Sequence, residues 1–125
     1  MVIRHTILFL ATLWISHNAK SEEVSNASGM DLYKQCAGVG SNSESEKMLQ
    51  YYGCGQYLMG IWDGFVGGAH VGGYEANFCF PASGLTLDSL AKAYVNWANA
   101  NPQFLQFHQS AAAVTALRSA FPCQR

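Results

Sequence analysis

The chain has 125 residues, half of them hydrophobic, and a formal net charge of -1. A chain of that length supports one small domain, and without a basic excess a nucleic-acid partner is disfavoured.

The N-terminal stretch "MVIRHTILFLATLWISHNAKS" carries Arg4 as a positive start, an apolar run from Thr6 to Ile15, and small residues at Ala19 and Ser21. Together these predict a secretory signal peptide over residues 1–21, cleaved after Ser21, with Ala19 as the other small-residue site. An anchor reading fails on length, because a run of about ten residues falls short of the roughly 20 that span a bilayer. No later run is long enough either, since "YLMGIWDGFVGGA" is interrupted by glycines and Asp63. The expected location is periplasmic, with no membrane contact after cleavage. Loss of Arg4 and Lys20 leaves the mature chain more acidic and admits a basic partner.

Residues 22–28, "EEVSNAS", are polar and aperiodic and read as a flexible tail, so the expected domain covers 29–125. "GMDLYKQCAG" predicts a short first helix with Met30, Leu32, Tyr33 and Cys36 on one side. A long second helix is expected from about Ser45, with Glu46 in its first turn, to about His70. At 100 degrees per residue, Cys54, Leu58, Ile61, Trp62, Phe65 and Ala69 share one arc, while Gly53, Gly60, Gly64 and Gly67 cluster opposite. Each helical glycine costs about 1 kcal/mol relative to alanine, so a face of them calls for close approach by another backbone. That backbone is expected from a second helix of the same chain or, in the other reading, from a symmetry mate in a homodimer.

Thr86 is the expected N-cap of a third helix, with Asp88 at its positive end and Leu87, Leu90, Ala91, Tyr94, Val95 and Ala98 as its core stripe. Asn101 and Pro102 read as the junction that ends this helix and starts a fourth, which runs to about Phe121 with Phe107, Val114, Leu117 and Phe121 inward. No segment alternates as a strand. The predicted fold is all-α, a small bundle of four main helices.

Cys36, Cys54, Cys79 and Cys123 all lie in the mature part, which in an oxidising compartment implies two disulfides. Three pairings are possible, and the sequence does not choose among them. The consecutive one, Cys36 with Cys54 and Cys79 with Cys123, is preferred because each bond would tie neighbouring elements.

Catalytic chemistry finds little support. A thiol nucleophile needs an unpaired cysteine near His70 or His108. Zinc needs ligands at close spacing, which these two histidines lack. Asp63 and His70 lie two turns apart, too far for a dyad. Glu44, Glu46 and Asp88 read as helix-start charges. Trp62 and Trp97 read as core more than as sugar platforms, and "GVGSNS" lacks the strand and lysine of a phosphate loop. No catalytic, cofactor or metal residue is assigned, and the expected chain is not an enzyme.

From Cys79 to Cys123 the sequence shows Cys-x-Pro, a Gly-x-Thr helix entry at Gly84 and Thr86, a helix-ending "NP" at Pro102, then His108 and a final "AFPC". With the upstream "CGQYLMGIWDG" from Cys54, this resembles the Rap/Tai family of type VI secretion immunity proteins over most of residues 30–125. The resemblance implies an all-helical periplasmic protein, often a homodimer, that binds and blocks a toxic peptidoglycan amidase. It departs from that pattern at Asn99 and Gln103, where more charge is expected. Loops concentrate binding function, so the expected partner-binding residues are Tyr74, Glu75 and Asn77 in one loop, and Asn99, Asn101 and Gln103 at the helix junction. A periplasmic chaperone-like or structural helical protein without a toxin partner is the competing class.

Overall fold

A computed structural model describes residues 26–124. The expected signal peptide and residues 22–25 of the expected tail lie outside the described residues. Helix α1 spans Gly29–Ala37, α2 Glu44–Gly72, α3 Leu87–Ala100 and α4 Gln109–Ala120, with a 3-10 turn at Pro102–Phe104 between the last two. Among the described residues there is no strand, only an isolated bridge between Ser28 and His108. The fold is the expected four-helix, all-α one.

Local chemistry fixes the helix ends. Ser28 and Asp31 form a reciprocal capping box on α1, Ser43 accepts from the Glu46 N–H at the start of α2, and Thr86 and Ser89 form a second box on α3. Helices α1 and α2 both stop at glycines in the left-handed region, Gly38 and Gly73. Ala27 and Ser28, read from composition as tail, are held in place. The Ala27 carbonyl accepts from the Gln109 N–H at 2.9 Å, and Ser28 caps α1.

The core gathers Leu32 and Cys36 from α1, Cys54, Leu58 and Trp62 from α2, Leu90 and Tyr94 from α3, and Leu117 with three alanines from α4. The Tyr94 hydroxyl donates to the Gly29 carbonyl at 2.8 Å, so even this buried polar group ties α3 to the start of α1. Both disulfides form in the consecutive pairing, Cys36–Cys54 and Cys79–Cys123.

Helix α4 begins at Gln109 rather than at Pro102. The intervening carbonyls are needed elsewhere, since Leu105 O accepts from Met30 N at 2.9 Å and Phe107 O from Gly29 N at 2.8 Å. A continuous helix would have used those carbonyls for itself and left the first N–H groups of α1 unpaired. Phe107, expected inward, is consequently half exposed.

The glycine face also differs from its intramolecular reading. A Cβ at Gly60, Gly64 or Gly67 would meet nothing within 4 Å, and at Gly53 it would meet only the Gln35 side chain. Among the described residues, no segment packs against Gly60, Gly64 or Gly67. The close approach occurs one position along from Cys54, at Gly55, where a Cβ would lie 3.2 Å from the Leu87 Cα and 3.1 Å from its carbonyl oxygen. It is this glycine that lets the start of α3 cross α2.

Candidate partner-binding surface

Three surface depressions join into one groove across the C-terminal face. The first, about 640 Å³, is lined by Glu75, Ala76, Asn77, Cys79, Pro122, Cys123 and Gln124. It shares Cys79, Pro122 and Gln124 with a second of about 590 Å³, whose walls add Phe80, Pro81 and Phe121. Ala120 and Phe121 then lead into a third of about 530 Å³, between α3 and α4, lined by Lys92, Asn96, Trp97 and Asn101 among others.

The walls are irregular backbone pinned covalently. The Cys79–Cys123 bond closes a separation of 44 residues, and beside it Cys79 N–H donates to the Phe121 carbonyl at 2.9 Å. Cys123 Sγ lies 3.5 Å from the Ala76 carbonyl oxygen, a van der Waals contact that places the Glu75–Asn77 loop beside the C-terminal segment. Beneath this is an aromatic nest. Trp62, fully buried, meets Phe78 in a tilted contact at 4.8 Å and packs edge-on with Phe80 at 5.0 Å and Phe121 at 5.6 Å. Its indole N–H has no hydrogen-bond partner among the described residues. Phe78 is buried while Phe80 is 64% exposed, so Phe80 brings an aromatic surface to the groove.

The six expected partner-binding residues separate. Glu75 and Asn77 line one end of the groove and Asn101 the other. Tyr74 folds back on α2, its hydroxyl and ring occupying the space beside Gly68 and Gly72. The Asn99 side chain accepts from the Tyr33 hydroxyl at 2.9 Å, which commits it to α1, and the Asn101 side chain donates to the Trp97 carbonyl at 2.8 Å. Gln103 is exposed in the 3-10 turn and lines none of these three depressions. Phe80, Pro122 and Gln124 were not anticipated. Only the large aromatic between Cys79 and Pro81, in a segment with no helical period, signals one of them.

Charges are few. Lys92 pairs with Asp88 at 2.7 Å and Lys47 with Glu44 at 2.7 Å. Lys92, followed by the Tyr51 hydroxyl, holds the Asp88 carboxyl below its usual range, and burial followed by the Asp88 bond pushes Tyr51 up to about 12. Arg118 lies over the Phe65 ring at 5.9 Å. Glu75 makes no ion pair among the described residues.

All four cysteines are in disulfides, which leaves no thiol. His108 caps α4 through its ring nitrogen. Among the described residues, no three His, Cys, Asp or Glu side chains come together as a metal site, and no helix is long and apolar enough to cross a membrane.

Fold and surface thus define a class: an all-α domain cross-linked by two consecutive disulfides, with exposed loops and aromatics on a groove. The family model of the Rap1a immunity proteins matches residues 28–123, from the N-cap of α1 to the last cysteine, and the chain belongs to that family. It is an immunity protein, set against a secreted effector. No curated protein and no solved structure matches the chain.

Proposed function

We propose that this chain is a periplasmic immunity protein that binds and inhibits a type VI secretion effector, a peptidoglycan amidase, without catalysis of its own. The observation that carries the reading is the family match over the whole disulfide-bonded domain. Two formed disulfides support export to an oxidising compartment.

Two copies pair through the outer face of α2. Leu49 is 74% exposed and Val71 89%, and the backbone at Gly60, Gly64 and Gly67 is open between them. Antiparallel pairing about Gly60 sets Leu49 opposite Val71 and Gly53 opposite Gly67, so apolar side chains meet at the ends and bare backbone meets between them. A chaperone-like role would use the same apolar face. Self-association accounts for it with one defined occupant, so the immunity reading is preferred.

The test is to combine the mature chain, residues 22–125, with the peptidoglycan amidase encoded beside its gene. Nanomolar binding with loss of amidase activity is the expected result. An amidase that stays fully active at saturating chain would sink the proposal.

A further inference from the structure

The groove over the Cys79–Cys123 bond differs from the α2 face in both shape and charge. It is a concave depression walled by irregular backbone, and Phe80 and Phe121, which pack on the buried Trp62, are among its lining residues. Glu75 is the one charged side chain lining its disulfide end, and no cation of the described chain pairs with it. A carboxylate unpaired among the described residues, at the edge of a groove of mixed polarity, attracts a cation from a partner, and such complementary charge fixes register and speeds encounter. Next to it, Phe80 is an exposed, rigid aromatic resting on Trp62, which is the kind of anchor that dominates interface energetics.

We propose that this groove receives an extended, basic segment of the effector. A Lys or Arg of that segment pairs with Glu75, and a neighbouring apolar side chain packs on Phe80. The Cys79–Cys123 disulfide acts as the frame of the site, holding the Glu75–Asn77 loop and the Pro122–Gln124 segment as its two walls. This assignment rests on the immunity reading and adds to it a location and a partner chemistry.

The experiment titrates the amidase encoded beside the gene into the mature chain and three variants by calorimetry, with circular dichroism to establish that each variant is folded. Glu75→Lys and Phe80→Ala are each expected to weaken binding about 30-fold, the level of an interface hot spot. The Glu75→Lys loss should shrink as salt is raised, because charge reversal adds a repulsion that ions screen. Glu44→Lys, an equal charge reversal at the opposite end of α2, should change affinity by less than about twofold. Tight wild-type binding with Glu75→Lys and Phe80→Ala both within about threefold of it would overturn the groove and leave the immunity reading standing. Absence of any wild-type binding would overturn the immunity reading, and the groove with it.

Discussion

The Cys36–Cys54 bridge joins two helices in the middle of the core, whereas Cys79–Cys123 joins two irregular segments at the surface. Both cysteines of the first are essentially inaccessible, and their neighbours are core side chains. Cys79 of the second is exposed, Cys123 partly so, and the bond forms part of a groove wall. The same covalent link therefore serves packing in one region and shape in the other. Loop closure alone would rank them differently, at about 3 kcal/mol for the 18-residue separation and about 4 kcal/mol for the 44-residue one.

The largest expected effect tests that ranking. Replacing Cys36 and Cys54 together by alanine should cost about 5 kcal/mol, because removing two buried sulfurs adds roughly 1 kcal/mol each to the closure term. Replacing Cys79 and Cys123 should cost no more than about 4 kcal/mol. Denaturant titration of both double variants checks this, and the reverse order would mean that burial of the first bond contributes little. Mild thiol reductant under native conditions should open Cys79–Cys123 first, as mass-labelling of the freed thiols would show.

A smaller contrast lies within α2. Gly55→Ala should destabilise by about 1–3 kcal/mol, since its methyl would press on the Leu87 backbone. Gly60→Ala should stabilise the isolated monomer by about 1 kcal/mol, because open space surrounds it and alanine favours the helix. Thermal melts at low concentration read both signs. Sedimentation at high concentration then reads whether the same methyl weakens self-association.

The smallest effects concern pH. Hydrogen bonds from Ser28 hold the Asp31 carboxyl below its usual range, and Asp88 is lowered by Lys92 and then Tyr51. Both groups contribute stability above the unfolded carboxylate value of about 3.9, which is lost as pH falls through their lower folded values. Tyr51 is shifted the other way. Its contribution is present below about pH 10 and lost as pH rises through its folded value of about 12. Melting temperature should therefore fall at both extremes, and Tyr51→Phe should flatten the alkaline side.

Much of the architecture could be read from local signals. Thr86 and the first-turn acids announced helix starts, and the apolar stripe of α2 is the one that Cys54, Leu58 and Trp62 bury. The start of α4 could not be read, because the Asn-Pro signal at Asn101 and Pro102 opens a 3-10 turn. What decides against a helix there is demand from α1, whose N–H groups take the carbonyls of Leu105 and Phe107 from far along the chain. No local pattern encodes that demand. The glycine face was visible as a pattern, but nothing in a periodicity says what lies against it. Glu75, Asn77 and Asn101, expected from loop position as partner-binding residues, lie along the groove. Phe80, Pro122 and Gln124 become neighbours of those residues only through a bond between distant cysteines.

The backbone pairing of residues 27–30 with residues 105–109 sets an order of assembly. A chain emerging N-terminus first exposes Cys36 and Cys54 together, before Cys79 has followed, so the nearer pair meets without a competing thiol. The start of α1 then waits with unpaired N–H groups until Leu105 and Phe107 arrive. Cys123 comes last of the four, so its bond to Cys79 closes the groove only once the whole domain has emerged. Consecutive pairing thus suits a chain that is threaded out in one direction, with no need to break a wrong disulfide on the way.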